Sequence, residues 1–246
     1  FESIMAQAED LCDDLVVDLS LWGEPALHPD FAGLASAVLA RKRFTLIVET
    51  SGLGWAPGLP ESVARAGRER VHWIVSLDDD DDAGYRALRG EGRDEAAAFV
   101  QRMAASWPKQ THVQAVRMAD TEERLEPFYR HWKGVLDGVI IQKYDSFAAC
   151  LPKRSVADLE PLERIPCRHL ARDLAVLLDG SVPPCKHALA RQADGKLAYA
   201  ATMGNAFAPG GLKAAWDAMG AWYADHAAGR LPPPCEHCDE YHTVNA

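Results

Sequence analysis

Apolar and β-branched residues gather in five short runs over the first 143 positions: Leu15–Leu21 (LVVDLSL), Phe44–Thr50 (FTLIVET), Val71–Leu77 (VHWIVSL), His112–Met118 (HVQAVRM) and Gly138–Lys143 (GVIIQK). Runs of this length and composition predict strands. Between them the period lengthens to that of a helix. Phe31, Leu34, Ala35, Val38 and Leu39 fall on one face of a 3.6-residue spiral. Ala96, Phe99, Val100 and Met103 repeat the pattern, and so do Leu125, Phe128, Tyr129 and Trp132. Asp120 followed by Glu123 predicts a capping pair for that last helix. Strands separated by about 25–40 residues, with helices between them, predict βα units on a parallel sheet. The segment before the first strand, up to Cys12, reads as a helix belonging to a strand that is not here.

Near Cys150 the alternation stops. Positions 151–166 (LPKRSVADLEPLERIP) carry three prolines and scattered charge, which predicts a linker. Beyond it the pattern predicts one strand at Leu174–Leu178, a Gly/Pro turn, and a helix marked by Leu212, Ala215, Trp216, Met219, Trp222 and Tyr223. The domains are therefore placed at 1–150, a linker at 151–166, and a small region at 167–246. So little periodic structure is weak alone, and a metal centre would hold it together.

Composition narrows the function. With 246 residues and a formal charge of −10, the chain is an acidic globular protein and a poor generic binder of nucleic acid or anionic membrane. No apolar run approaches the roughly 20 residues of a membrane span, and no secretory signal is present. A cytoplasmic location and reduced thiols are expected. Asp79 to Asp82 read as a solvated helix start, without the spacing of a calcium loop.

Four of the six cysteines lie in the last third. Cys235 and Cys238 form a Cys-x-x-Cys pair that lets two thiolates face one metal, and Cys167 and Cys185 flank a predicted strand and turn. Four thiolates suit zinc or an iron–sulfur cluster, and spacing does not choose between them. Cys12 and Cys150 read as small core residues, and His169, His187 and His237 as surface or capping residues.

The set Cys167, Gly180, Cys185, Gly204-Asn205, Cys235 and Cys238 resembles the SPASM region, the auxiliary-cluster extension of many radical SAM enzymes. The match is incomplete, since Val244 stands where the pattern has its next cysteine. The resemblance implies one auxiliary 4Fe–4S cluster on Cys167, Cys185, Cys235 and Cys238.

The strand–helix part resembles the same family. Leu21-Trp22-Gly23-Glu24-Pro25 ends the first strand and is similar to the family's Gly-Gly-Glu-Pro motif, with Trp22 in place of the first glycine. There the turn and the glutamate bind the amino group of S-adenosylmethionine (SAM), a pairing of carboxylate with ammonium. Glu24 read without the resemblance is a helix-start residue before Pro25. Glu49-Thr50-Ser51-Gly52 ends the second strand, and Val75-Ser76-Leu77-Asp78 resembles the family's fourth-strand run. His28 and Pro29 also fit the family's consensus after the Glu-Pro. The resemblance thus implies cofactor contacts at Gly23, Glu24, Ser51, Ser76 and Asp78.

The chain has no Cys-x-x-x-Cys-x-x-Cys motif for the family's catalytic cluster. The family's partial barrel has six βα units and five are visible here. The expectation is therefore a fragment of a longer radical SAM/SPASM enzyme, an α/β partial barrel lacking its first unit and followed by a cysteine-rich α+β domain. A degenerate homologue that lost the cluster is the alternative. The intact enzyme would use SAM, a second 4Fe–4S cluster, an electron donor such as a flavodoxin or ferredoxin, and a substrate that in this family is often a peptide or protein. Lys186 stands where some members carry an acidic base after the second cysteine. A competing class is a non-catalytic scaffold whose cysteines hold zinc.

Overall fold

The computed structural model describes residues 1–156 and 165–238. Two compact units emerge, one from Cys12 to Gln142 and one formed by Glu2–Leu11 together with the chain from Lys143 onward. Part of the predicted linker, 157–164, lies outside the described residues.

The first unit carries a five-stranded sheet in the order β1-β2-β3-β4-β5, with β1 Val16–Asp18, β2 Thr45–Thr50, β3 Val71–Ser76, β4 Thr111–Arg117 and β5 Gly138–Lys143. The pairs β1/β2, β2/β3 and β3/β4 are parallel, with Asp18 opposite Ile47, Glu49 opposite Ile74, and Ser76 opposite Gln114. A sheet whose spatial order equals its chain order is what successive βα units build in a (β/α) barrel wall. All five predicted strands are present. The first is shorter than its apolar run because the Asp18 carboxylate accepts from the Ser20 backbone (2.9 Å) and hydroxyl (2.7 Å), which turns the chain out of the sheet.

Strict alternation of buried and half-buried residues in β2 and β3 sets the two faces of the sheet there. Leu46, Val48, Val71, Trp73, Val75 and Val113 are fully buried. Helices α2 (Phe31–Leu39), α3 (Leu59–Gly67), α5 (Arg93–Ala104) and α6 (Glu122–Lys133) pack on the strands they adjoin. Arg70 ties α2 to β2 by donating to the carbonyls of Leu39 (3.0 Å), Arg41 (2.9 Å) and Phe44 (2.8 Å). The predicted Asp120/Glu123 capping box does not form: Thr121 is the residue before α6, and its buried hydroxyl binds Met118 and Val116 instead.

The aspartate run is the largest departure from expectation. Only Asp81, which caps α4 (Asp82–Arg89) through the Gly84 backbone (2.9 Å), and Asp82 behave as a helix start. Asp78 and Asp79 are buried, and each is paired with an arginine: Arg89 at 2.6 Å and Arg124 at 2.5 Å. Asp80 accepts from the Trp132 indole at 2.7 Å, and burial pushes its carboxyl up from the ordinary range. Charges this deep persist only when paired, which the run achieves with residues distant in sequence.

In the second unit, α1 (Glu2–Glu9) packs on the long helix α8 (Gly211–Ala227), and Gln7 clasps the Ala206 carbonyl and the Leu212 backbone N–H. The N-terminal helix therefore belongs with the C-terminal region. Short α7 (His169–Arg172) precedes two antiparallel pairs, β6 (Ser181–Val182) with β9 (Gly204–Asn205) and, between them in the chain, the hairpin of β7 (Leu189–Arg191) with β8 (Leu197–Tyr199). The unit closes its described part with α9 (Pro233–Glu236). No strand forms at Leu174–Leu178. That run is the arm of a turn, with Leu178 fully exposed and Leu177 accepting from Gly180. Among the described residues no helix is long and apolar enough to cross a membrane.

Candidate functional site

Two places carry chemistry, one in each unit. In the first, the C-terminal ends of β1, β2 and β3 present the residues singled out in the sequence. The chain leaves β1 through a tight turn in which Leu21 has φ 52° and Gly23 donates to Ser20. Glu24 follows, half-buried. One of its oxygens accepts from the Ala26 backbone (3.2 Å) and the Thr50 hydroxyl (2.5 Å), the other from the Ser51 backbone and hydroxyl (both 2.7 Å). The helix-start role and the bridge to β2 are thus combined in one carboxylate. Its four acceptor positions are all occupied within the chain.

Gly52 closes this corner. With φ 81° and an added Cβ only 3.2 Å from Ala96 Cα and Val75 Cγ1, the position requires glycine. Ser76 stands half-buried at the end of β3. Asp78 does not join the group at that edge. Its carboxylate accepts from the Val116 backbone (2.7 Å) and from Arg89.

In the second unit all four predicted cysteines, Cys167, Cys185, Cys235 and Cys238, line one cavity of about 20 Å³ with His169, His187 and His226. The β6/β9 pairing explains how Cys185 arrives there. Gly180, at φ 82°, sits against Asn205, whose side chain donates to the Asp179 carbonyl at 3.0 Å, while the Ala206 backbone donates to Gly180 at 2.7 Å. This reverses the chain between Cys167 and Cys185 and joins the Gly180 and Gly204-Asn205 elements of the motif. Burial pushes the Cys185 thiol far up, and negative charge on Cys167, Cys238 or Cys235 pushes it further, against a hydrogen bond from the His187 backbone.

His237 is exposed, as expected, whereas two other histidines depart from a surface role. His169 and His187 are buried, with rings 4.9 Å apart, and each Nδ1 meets a carboxylate: Asp173 at 2.5 Å and Asp145 respectively. Burial pushes the Asp173 carboxyl up, but His169, Arg172 and Arg168 outweigh it and hold the group below its usual range. A carboxylate on one ring nitrogen is the arrangement that orients the other nitrogen toward a metal. His226, on α8, accepts from the Cys167 backbone at 3.4 Å, and no sequence signal marked it. Cys12 and Cys150 are half-buried rather than core, with weak hydrogen bonds to Asp14 and Leu189.

The donor set suits a thiophilic metal or an iron–sulfur cluster: soft sulfur, buried imidazoles and a largely apolar wall. Among the described residues, however, no three His, Cys, Asp or Glu side chains stand close enough to grip an ion without moving.

Over an alignment of 257 residues the chain is 34% identical to an uncharacterized protein of Treponema pallidum (strain Nichols), covering 99% of this chain and 69% of that protein. The chain belongs to that protein's family. No protein-family model matches the sequence. Among solved structures, SuiB of Streptococcus suis bound to S-adenosylmethionine superposes with a TM-score of 0.57 and 15% identity, covering 75% of this chain and 52% of SuiB. SuiB bound to its precursor peptide SuiA gives a TM-score of 0.52 at 19% identity over 64% of this chain and 35% of SuiB. BtrN in an open conformation gives 0.51 at 13% identity, over 99% of this chain and 83% of BtrN. At these identities the likeness is one of fold: an α/β architecture around a parallel sheet. In another SuiB structure the chain matches only 36% of that protein's length.

Proposed function

We propose that this chain is part of a radical SAM enzyme, with an auxiliary 4Fe–4S cluster held by Cys167, Cys185, Cys235 and Cys238. The observation that carries the reading is the convergence of those four thiols on one cavity. The fold shared with SuiB, solved with SAM, supports it as well. Gly23, Glu24, Ser51, Ser76 and Asp78 are the residues offered to SAM near the strand ends, Asp78 being the one whose carboxylate also accepts from Arg89 and the Val116 backbone. When bound, SAM and its own cluster would supply the radical that removes hydrogen from a substrate. The chain's part is to position the cofactor and keep water out. A peptide substrate is proposed because SuiB has been solved with a precursor peptide, and a flavodoxin- or ferredoxin-like protein is proposed as electron donor.

One observation favours a second reading. The space among the thiols, about 20 Å³, is near the size of a single atom, so a mononuclear zinc centre requires less outward movement of the ligands than a cubane. Anaerobic reconstitution separates the two. About four irons per chain, lost in Cys235→Ser/Cys238→Ser, is the expected result. Stoichiometric zinc with no iron uptake would replace the cluster by the zinc centre.

A further inference from the structure

We propose that the first unit holds a second, separate binding site for an anionic ligand that carries a flat aromatic ring, the chemistry of a nucleoside phosphate. The site lies between the C-terminal end of α3 and the segment joining α5 to β4. There Arg65, Arg68, Lys109 and Trp107 line an open cavity of about 450 Å³, with Glu69, Pro108 and Gln110 completing the wall. That size is within the range of small-molecule sites, roughly 300–1,000 Å³.

Three observations converge on the ligand class. The first is charge: three cations and one acid share a single concavity in a chain of net charge −10. The second is pairing. Every other arginine between Cys12 and Gln142 donates to a carbonyl or carboxylate of the chain. Arg65 and Arg68 alone among them have no such partner, and both line this cavity. Guanidinium groups left for a ligand present a planar fork suited to phosphate. The third is Trp107, a half-buried aromatic residue in the same wall, the residue type on which a flat ring stacks.

Arg68 strengthens the case from the backbone. It ends α3 at φ 52°, ψ −123°, a conformation that favours glycine. Such a conformation costs a non-glycine residue stability, so the side chain there is retained against a backbone penalty. A purely structural role would look different. Arg65 alone, in the last turn, would answer the helix dipole, and neither Lys109 nor Trp107 would be required.

The test is calorimetric, with the whole chain and adenosine 5′-monophosphate as probe. Binding should weaken as salt rises and fall about tenfold to a hundredfold in Arg65→Ala and in Arg68→Gly. Both residues are exposed, so the variants should fold, and Arg68→Gly should melt no lower than wild type. Trp107→Leu should reduce the preference for adenosine monophosphate over inorganic phosphate. Glu24→Gln should leave this binding unchanged and SAM should not displace the probe, which separates this site from the proposed SAM edge. Equal affinity in wild type and Arg65→Ala/Arg68→Gly, displacement by SAM, or phosphate binding as tightly as the nucleotide would each overturn the proposal.

Discussion

The Glu24 carboxylate receives both the backbone N–H and the hydroxyl of Ser51, each at 2.7 Å. Two residues 27 positions apart thereby lock the turn after β1 to the end of β2. Glu24 holds the strand ends in register through the chain's own hydrogen bonds. A SAM ammonium would then share oxygens that Thr50, Ser51 and Ala26 already use.

This gives a prediction that a ligand-only role does not. Glu24→Gln keeps the shape but turns an amide donor toward one of the N–H or O–H groups now satisfied by oxygen. The protein without cofactor should lose about 1.5–3 kcal/mol, read as a lower urea midpoint. Unchanged stability combined with weaker SAM binding would mean that the carboxylate serves the ligand alone.

Asp78 and Arg89 supply the second prediction. The carboxylate side chain is 8% exposed and the guanidinium 27%, so the pair is largely shielded. Arg89→Met strands the charge, with only the Val116 N–H left to compensate. The expected loss is about 2–4 kcal/mol, the lower part reflecting partial exposure of the arginine. Adding Asp78→Asn should recover a measurable part. If the double variant is less stable than Arg89→Met by the full cost of Asp78→Asn alone, the two side chains are not coupled.

These pairings also mark where sequence reading ends. The strands and their order were legible because β-branched runs alternate with helical periods, and the cysteine set because Cys-x-x-Cys and the Gly180 turn have recognisable spacing. The aspartate run was not. Consecutive charges read as solvated, and the groups that satisfy Asp79 and Asp80, Arg124 and Trp132, lie 45 and 52 positions away. Leu174–Leu178 failed for the opposite reason. Five residues of suitable composition do not specify a strand when no partner strand is opposite.

His72 and His112 stack on adjacent strands, with ring centroids 5.7 Å apart and Nδ1 of one 3.4 Å from Nε2 of the other. Burial holds His112 below the ordinary imidazole value of 6.5, and a charge on His72 lowers it further. The folded state therefore resists a proton that the unfolded chain accepts. The contribution of His112 to stability is complete above about pH 6.5 and is lost as pH falls through the lowered folded value. His112→Gln should flatten the decline in urea midpoint between about pH 7 and pH 5. An identical slope in the variant would assign the acid sensitivity to other groups.

The last prediction concerns the reactivity of the cysteines. Only a thiolate attacks iodoacetamide at a useful rate. All six cysteines are half-buried as whole residues. Burial, reinforced by negative charge on Cys167, Cys238 or Cys235, pushes the Cys185 thiol far up and leaves it almost un-ionised near neutral pH. In metal-free protein Cys185 should be alkylated slowly, as read by peptide mass spectrometry. After anaerobic loading, Cys167, Cys185, Cys235 and Cys238 should all become protected, because a metal-bound sulfur is no longer a free nucleophile. Cys12 and Cys150 should react at their former rates and serve as internal controls. Protection spread equally over all six would indicate a general tightening of the fold, and the four thiols would lose their assignment as a ligand set.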